Sequence, residues 1–199
     1  MGSALKIQIA VLCEKLRLLL HELFPTLVSG RAEISDGNQH QNAGDNTRLN
    51  RQSSSRESPK AVNYVDVAWG EWEQTEFPGE HANSRIVEYH SHTSLKASSD
   101  EVAWCSAFMN YCMDKAGLKG TNLANAKSWL DWGVPATLDD IHCVVVLWRD
   151  TPSSPSGHVA ILLGKTDDKV FLLGGNQDNK VCVKAYPRSR VIGCRLANQ

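Results

Sequence analysis

The sequence predicts an α+β domain in which N-terminal helices pack on one face of a C-terminal antiparallel β-sheet. Two observations predict this class. Apolar residues recur at helical spacing up to about residue 132, whereas from residue 143 onward the chain breaks into short segments rich in β-branched residues. Those segments are separated by turn residues such as SSPSG, TDD and QDN, and connections that short join antiparallel neighbours. Helices first and strands after is the order of an α+β architecture, not of alternating α/β units.

Residues 1–28 read as an amphipathic helix. Leu5, Ile9, Leu12, Leu16, Leu19 and Leu23 alternate steps of four and three, which aligns them on one face, and Pro25 supplies the stop. Residues 29–60 are polar and poor in large apolar side chains, with stretches such as GNQHQNAGDN and RQSSSRESP. Such a composition buries too little surface to offset the entropy of chain ordering, so a flexible linker is expected. The folded domain then spans residues 61–199, with its boundary near Pro59.

Within that domain, VNYVDVAWGEWEQTEF predicts a first helix, and Ile86 to His90 a short second one. Trp104, Ala107, Phe108, Tyr111 and Cys112 follow the i, i+3, i+4, i+7, i+8 pattern of a buried helix, which Gly117 ends as a C′ glycine. ANAKSWLDW (124–132) predicts a further short helix stopped by Gly133. Strands are expected at 143–149, 158–165, 169–175, 180–186 and 191–196, arranged as a meander.

Composition narrows the function classes. The chain has 199 residues, 42% of them apolar, and a formal charge of −1, without a basic block to release counterions from a polyanion. Nucleic acid is therefore not an expected partner. Cys13, Cys105, Cys112, Cys143, Cys182 and Cys194 include no C-x-x-C pair and no metal-like spacing. That argues against zinc ribbons, thioredoxin-type sites and a disulfide framework, and no metal or other cofactor is expected. Glu14, Lys15 and Arg17 interrupt the apolar start, so neither a secretory signal nor a membrane-spanning helix is expected, and synthesis in the cytoplasm follows.

One constellation carries chemistry. Cysteine is among the most buried residue types, and Cys112, on nearly the same helix face as Cys105, reads as a core thiol. Cys105 differs by position: it follows the polar segment SSDEVAW and sits where the helix begins, where free N–H groups and the dipole favour a thiolate. His158 opens a strand after the turn SSPSG, where its imidazole can face the start of the packed helix and take a thiol proton. Asn176 ends the next strand, in LLGGNQD, and its amide oxygen is placed to orient the imidazole; Gln177 is the lower-ranked alternative. Gly174 and Gly175 leave room for close backbone approach.

The segments AWCSAF, AKSWLDWG, SGHVAILLG and LGGNQ, in that order over roughly Ala68 to Leu196, resemble the CHAP and NlpC-type cysteine amidases and peptidases, in a branch associated with phages and bacteria. The resemblance implies a papain-like fold and hydrolysis of amide bonds in the stem peptide of bacterial peptidoglycan, by an amidase or endopeptidase. It assigns the nucleophile to Cys105, the base to His158 and the third position to Asn176. Many members carry a glutamate two residues before that asparagine; here the position is Gly174, a departure that removes a fourth member. Trp104, Trp129, Trp132 and Gln177 are the expected substrate-lining residues, and the Cys105 N–H is one oxyanion donor. Asp100 and Glu101 either meet a positive group of the substrate or favour the helix start.

Competing classes use other features. A metal hydrolase would draw on His90 and His92, for which no third ligand has convincing spacing. A non-catalytic cell-wall binding module would not need Cys105, and an acyltransferase would use the same residues with another acceptor. With no leader expected, action on the wall requires delivery or lysis. A leucine-faced helix on a tether suits a secretion carrier, so a delivered antibacterial toxin countered by an immunity protein is expected, with a phage-type endolysin as the alternative.

Overall fold

The computed structural model describes residues 63–79 and 81–198, so the helix expected at 1–28 and the linker expected at 29–60 lie outside the described residues. Helices α1 (Tyr64–Gly70), α2 (Ser84–Ser91) and α3 (Cys105–Lys115) precede a 3-10 helix (Ala126–Asp131) and six strands. The strands are β1 (Val134–Pro135), β2 (Val144–Trp148), β3 (Gly157–Lys165), β4 (Lys169–Gln177), β5 (Lys180–Pro187) and β6 (Val191–Leu196). All pairings are antiparallel, in the order β1-β6-β2-β3-β4-β5. The α+β class with helices on a sheet holds.

Local chemistry explains the helix ends. The side chains of Asn63, Asn83 and Asn125 each accept a hydrogen bond from the amide two residues on, capping α1, α2 and the 3-10 helix. At the far end of α3, Gly117 at φ +73° lets the Leu118 amide reach the Met113 carbonyl at 2.8 Å, with the Gly117 amide on Asp114 at 2.9 Å. That is the Schellman pattern expected of this glycine.

Three expectations change. The first helix stops at Gly70, not near Phe77, because the following chain finds backbone partners on the open edge of β5. Glu73 donates to Val181, Val181 donates to Gln74, and Thr75 bridges Lys180. β2 to β5 form the expected meander, but β6 returns to pair with β2 instead of continuing beyond β5. The two-residue β1, with a proline that only an edge strand tolerates, was not anticipated.

Side-chain alternation divides the sheet into two faces. Val144, Val146, Val159, Ile161 and Leu173 pack with α1, α2 and α3, while Val145, Leu147, Ala160, Leu162, Leu172 and Tyr186 form a second apolar cluster on the opposite face. α3 is buried on every side from Cys105 to Met113. Gly175 makes its close packing on β4 possible: a Cβ there would lie 2.4 Å from Trp104 Cζ3 and 2.7 Å from Phe108 Cβ.

A buried acid joins the helices. Glu71, 5% exposed, accepts from Arg85 Nε at 2.8 Å, Tyr89 Oη at 2.7 Å and Tyr111 Oη at 2.9 Å. These bonds and the Arg85 charge outweigh desolvation and hold its carboxyl below the usual range. Glu71→Ala is expected to destabilise the domain by about 3 kcal/mol, read by urea unfolding, because it strands two buried hydroxyls and a guanidinium. A change below about 1 kcal/mol would contradict this account. No helix among the described residues is long and apolar enough to cross a membrane.

Candidate functional site

Cys105 is the first residue of α3, and its N-cap Trp104 provides no side-chain bond to the exposed first-turn amides. The thiol is only 5% exposed. Burial raises its pKa; against that act the backbone amides of Val159, Ser106 and Cys105 itself, together with the charge of Arg149. The net direction is upward, so the resting group is a neutral thiol, contrary to the thiolate expected from the helix start alone. Desolvation outweighs the dipole. Cys112, two turns deeper, is fully buried and its thiol is raised well above the ordinary value.

His158 is 1% exposed and pairs with Leu147 across the β2–β3 register. Its Nε2 lies 3.0 Å from Gln177 Oε1. The tautomer follows from the Gln177 amide, whose Nε2 donates to the carbonyls of Leu172 (3.1 Å) and Cys182. That fixes Oε1 toward the ring as an acceptor, so the imidazole carries its proton on Nε2 and presents a lone pair at Nδ1. Nδ1 is buried and has no partner among the described residues. Desolvation, opposed by the Gln177 bond and reinforced by Arg149, Arg190 and Lys184, lowers the imidazole pKa to about 4. The ring is neutral.

The Val159 N–H on β3 is among the groups that act to lower the Cys105 thiol pKa. The imidazole leaves β3 toward the face of Leu147 and Tyr186, its centroid 5.4 Å from the tyrosine ring. Cys105 thus packs on the helix-facing side of the sheet, whereas the His158 side chain lies on the opposite face with Leu147 and Tyr186, which corrects the expectation that the imidazole faces the start of the packed helix. No thiol–imidazole hydrogen bond is closed in this structure.

Asn176 does not contact the imidazole. It sits at φ +55° inside a register shift between Gly174 and Gln177 on the β4–β5 ladder. Strict alternation would put residue 176 on the same face as Gly174, beside Ala160. The bulge adds one residue, and Gln177 takes that place instead. The expectation that Asn176 holds the ring is corrected on this point, and the alternative, Gln177, is the partner observed.

The expected substrate-lining residues are mostly interior. Trp104 and Trp129 are fully buried, their indole N–H groups donating to Glu76 Oε1 (2.7 Å) and Ser106 Oγ (2.8 Å). Trp132 is half-buried, stacks edge-on against Trp129 and donates to the Lys119 carbonyl at 2.8 Å. It borders a surface depression shared with Leu118, Lys119 and Gly133, which includes neither Cys105 nor His158. Gln177, with its amide fully engaged, positions the ring and has no donor left for a ligand. The tryptophans read as helix-to-sheet packing because their large apolar area is worth more inside than at the cleft.

Asp100 is also structural: its buried Oδ2 accepts from the amides of Phe77 (2.9 Å) and Asn83 (2.8 Å), tying two loops together. Glu101 remains exposed. His90 is fully buried, whereas His92 Nδ1 lies 3.2 Å from Asp114 Oδ2. Among the described residues no group of three histidine, cysteine or acidic side chains is arranged to hold a metal ion. Arg149 and Arg190, whose charges reach the imidazole, were not singled out from sequence, because only the sheet register brings them beside His158. No protein-family model and no curated protein matches the chain.

Proposed function

We propose that the described domain is a papain-like cysteine hydrolase that cleaves an amide bond in the peptide of the bacterial cell wall, with Cys105 as nucleophile, His158 as base and Gln177 as the residue that positions the ring. The assignment is supported by the motif resemblance and by the Gln177–His158 bond, which leaves Nδ1 unprotonated; the imidazole lies on the sheet face opposite the sulfur and must turn about the start of β3 to reach it. The cell-wall substrate comes from the motif resemblance.

The chemistry follows from a neutral thiol and a neutral imidazole. With the ring turned to the helix-facing side of β3, Nδ1 accepts the Sγ–H proton as sulfur attacks the carbonyl carbon. The first-turn amides of α3 face the developing oxyanion. Collapse breaks the C–N bond, Nδ1 returns the proton to the leaving amine, and a thioester remains. Water then attacks that thioester, its proton passing to Nδ1 and back to sulfur, releasing a carboxylic acid.

The test is mass spectrometry of muropeptides after digestion of purified peptidoglycan, with Cys105→Ala in parallel and an iodoacetamide-treated sample. New amide-derived termini from the wild-type protein only are expected; none from the wild type would remove the hydrolase assignment. The third role has its own test. Gln177→Ala is expected to lower kcat/KM by about 10²-fold or more, since the ring loses its holder and tautomer control. Asn176→Ala is expected to leave it within about threefold, because its side chain touches neither candidate. The reverse ranking would restore Asn176 to the site.

A further inference from the structure

We propose that Lys127 is a positioning residue: from the 3-10 helix it braces the start of β3 against the start of α3, so that the His158 imidazole turns toward the Cys105 sulfur about a fixed pivot. This inference rests on the hydrolase assignment above and adds to it a residue outside the reacting pair.

The 3-10 helix connects the two parts of the site. Its buried Trp129 donates the indole N–H to Ser106 Oγ at 2.8 Å, one residue beyond Cys105 in the first turn of α3. Two residues before Trp129, Lys127 Nζ donates to the carbonyls of Pro152 (3.1 Å) and Ser154, in the turn that leads into β3. The Lys127 stem lies along the first residue of that strand. A Cβ on Gly157 would lie 3.2 Å from Lys127 Cγ and 3.6 Å from Ala126 Cβ. Alternation with His158 places Gly157 on the helix-facing side, the side of Cys105 and the one to which the imidazole has to turn.

The turn depends on support from outside. Trp148 and Gly157 are the last paired residues of the β2–β3 hairpin, and beyond them the Arg149 amide reaches the Ser156 carbonyl only at 3.4 Å, long for such a bond. Asp150 sits at φ +65°, and every residue from 149 to 156 except Ser154 is exposed. Among the described residues, Lys127 supplies the only hydrogen bonds that this turn receives from another element. A half-buried ammonium on two carbonyls makes charge-assisted bonds, stronger than the neutral ones within the turn. Without them the start of β3 is free to shift, and a displacement of about 1 Å at a reacting group is enough to cost about 10²-fold in rate.

The test measures muropeptide hydrolysis and backbone hydrogen exchange of wild-type protein, Lys127→Met and Lys127→Arg. Methionine keeps an apolar stem over Gly157 and removes the donors, whereas arginine keeps a charge that can donate to two carbonyls. In Lys127→Met, kcat is expected to fall by about 10- to 100-fold with KM within about twofold, since substrate still binds while the base is misplaced. Amides of residues 150–158 are expected to exchange about tenfold faster than in the wild type, while those of α3 keep their protection. Lys127→Arg is expected to bring kcat back to within about fivefold of the wild type. Unchanged exchange over 150–158 in Lys127→Met overturns the brace. An unchanged kcat, a loss carried by KM, or an arginine variant no better than the methionine one overturns the positioning role, and each of these leaves the hydrolase intact. Absence of hydrolysis by the wild type removes the hydrolase assignment and the catalytic role of Lys127 with it.

Discussion

Cys105→Ala is expected to stop product formation from cell-wall peptide, with kcat/KM falling by about 10³-fold or more, while the fold is retained. The magnitude follows from the loss of the only atom that forms the covalent intermediate; what remains is binding and oxyanion stabilisation, too weak to replace a nucleophile. Retention of the fold follows from the small volume removed. Cys105 is the first residue of α3 and a buried member of the helix-side cluster, and only one sulfur atom is removed, so about 1 kcal/mol of stability is at risk. The measurement pairs muropeptide release with urea unfolding of the same samples. Cys112→Ala serves as the control, since it removes a fully buried thiol from the same helix and is expected to lower stability more than activity. Undiminished hydrolysis by Cys105→Ala would refute the covalent route.

His158 is expected to make both activity and stability depend on acid pH. Its imidazole pKa, ordinarily 6.5, is lowered to about 4, chiefly by desolvation and further by Arg149, Arg190 and Lys184. A base must be unprotonated, so the acid limb of kcat/KM is expected near pH 4, well below that of a solvated histidine. For stability the sign is fixed by proton uptake on unfolding. Between pH 6.5 and 4 the unfolded chain binds a proton at this residue that the folded one does not. The contribution is therefore complete above pH 6.5 and is lost as the pH falls toward 4, amounting to about 3 kcal/mol over that window. His90, also lowered by burial, adds a contribution of the same sign. His158→Phe is expected to abolish hydrolysis and to flatten the slope of unfolding free energy against pH by the His158 share. An unchanged slope, or an acid limb near pH 6.5, would mean that the imidazole is solvated in the working protein.

Under the proposed assignment, burial of the two groups is compatible with reactivity. A sulfur and an imidazole that both rest neutral avoid two charges in a site exposed by only a few per cent, and the proton moves only when attack begins. Desolvation chiefly, with the charges of Arg149, Arg190 and Lys184, holds the ring in the basic form.

The sequence by itself determined the elements and the order in which they carry their chemistry. The apolar spacing of Trp104 to Cys112, the stop at Gly117 and the β-branched runs from Val144 onward are properties of local chain geometry, so α3 and the meander strands were legible within a residue or two. For the same reason Cys105 could be set at a helix start and His158 at a strand start. Only the tertiary structure decided which neighbours those residues meet. The open β5 edge drew residues 73–75 out of a helix, and β6 found its partner in β2. The register shift after Gly174 exchanged Asn176 for Gln177 beside the imidazole. Burial sent Trp104 and Trp129 inward, and the sheet register gathered Arg149, Arg190 and Lys184 around His158. Periodicity is set by the bonds along one segment, whereas register, edge pairing and charge environment depend on contacts between segments distant in the chain, whose energies no single segment contains.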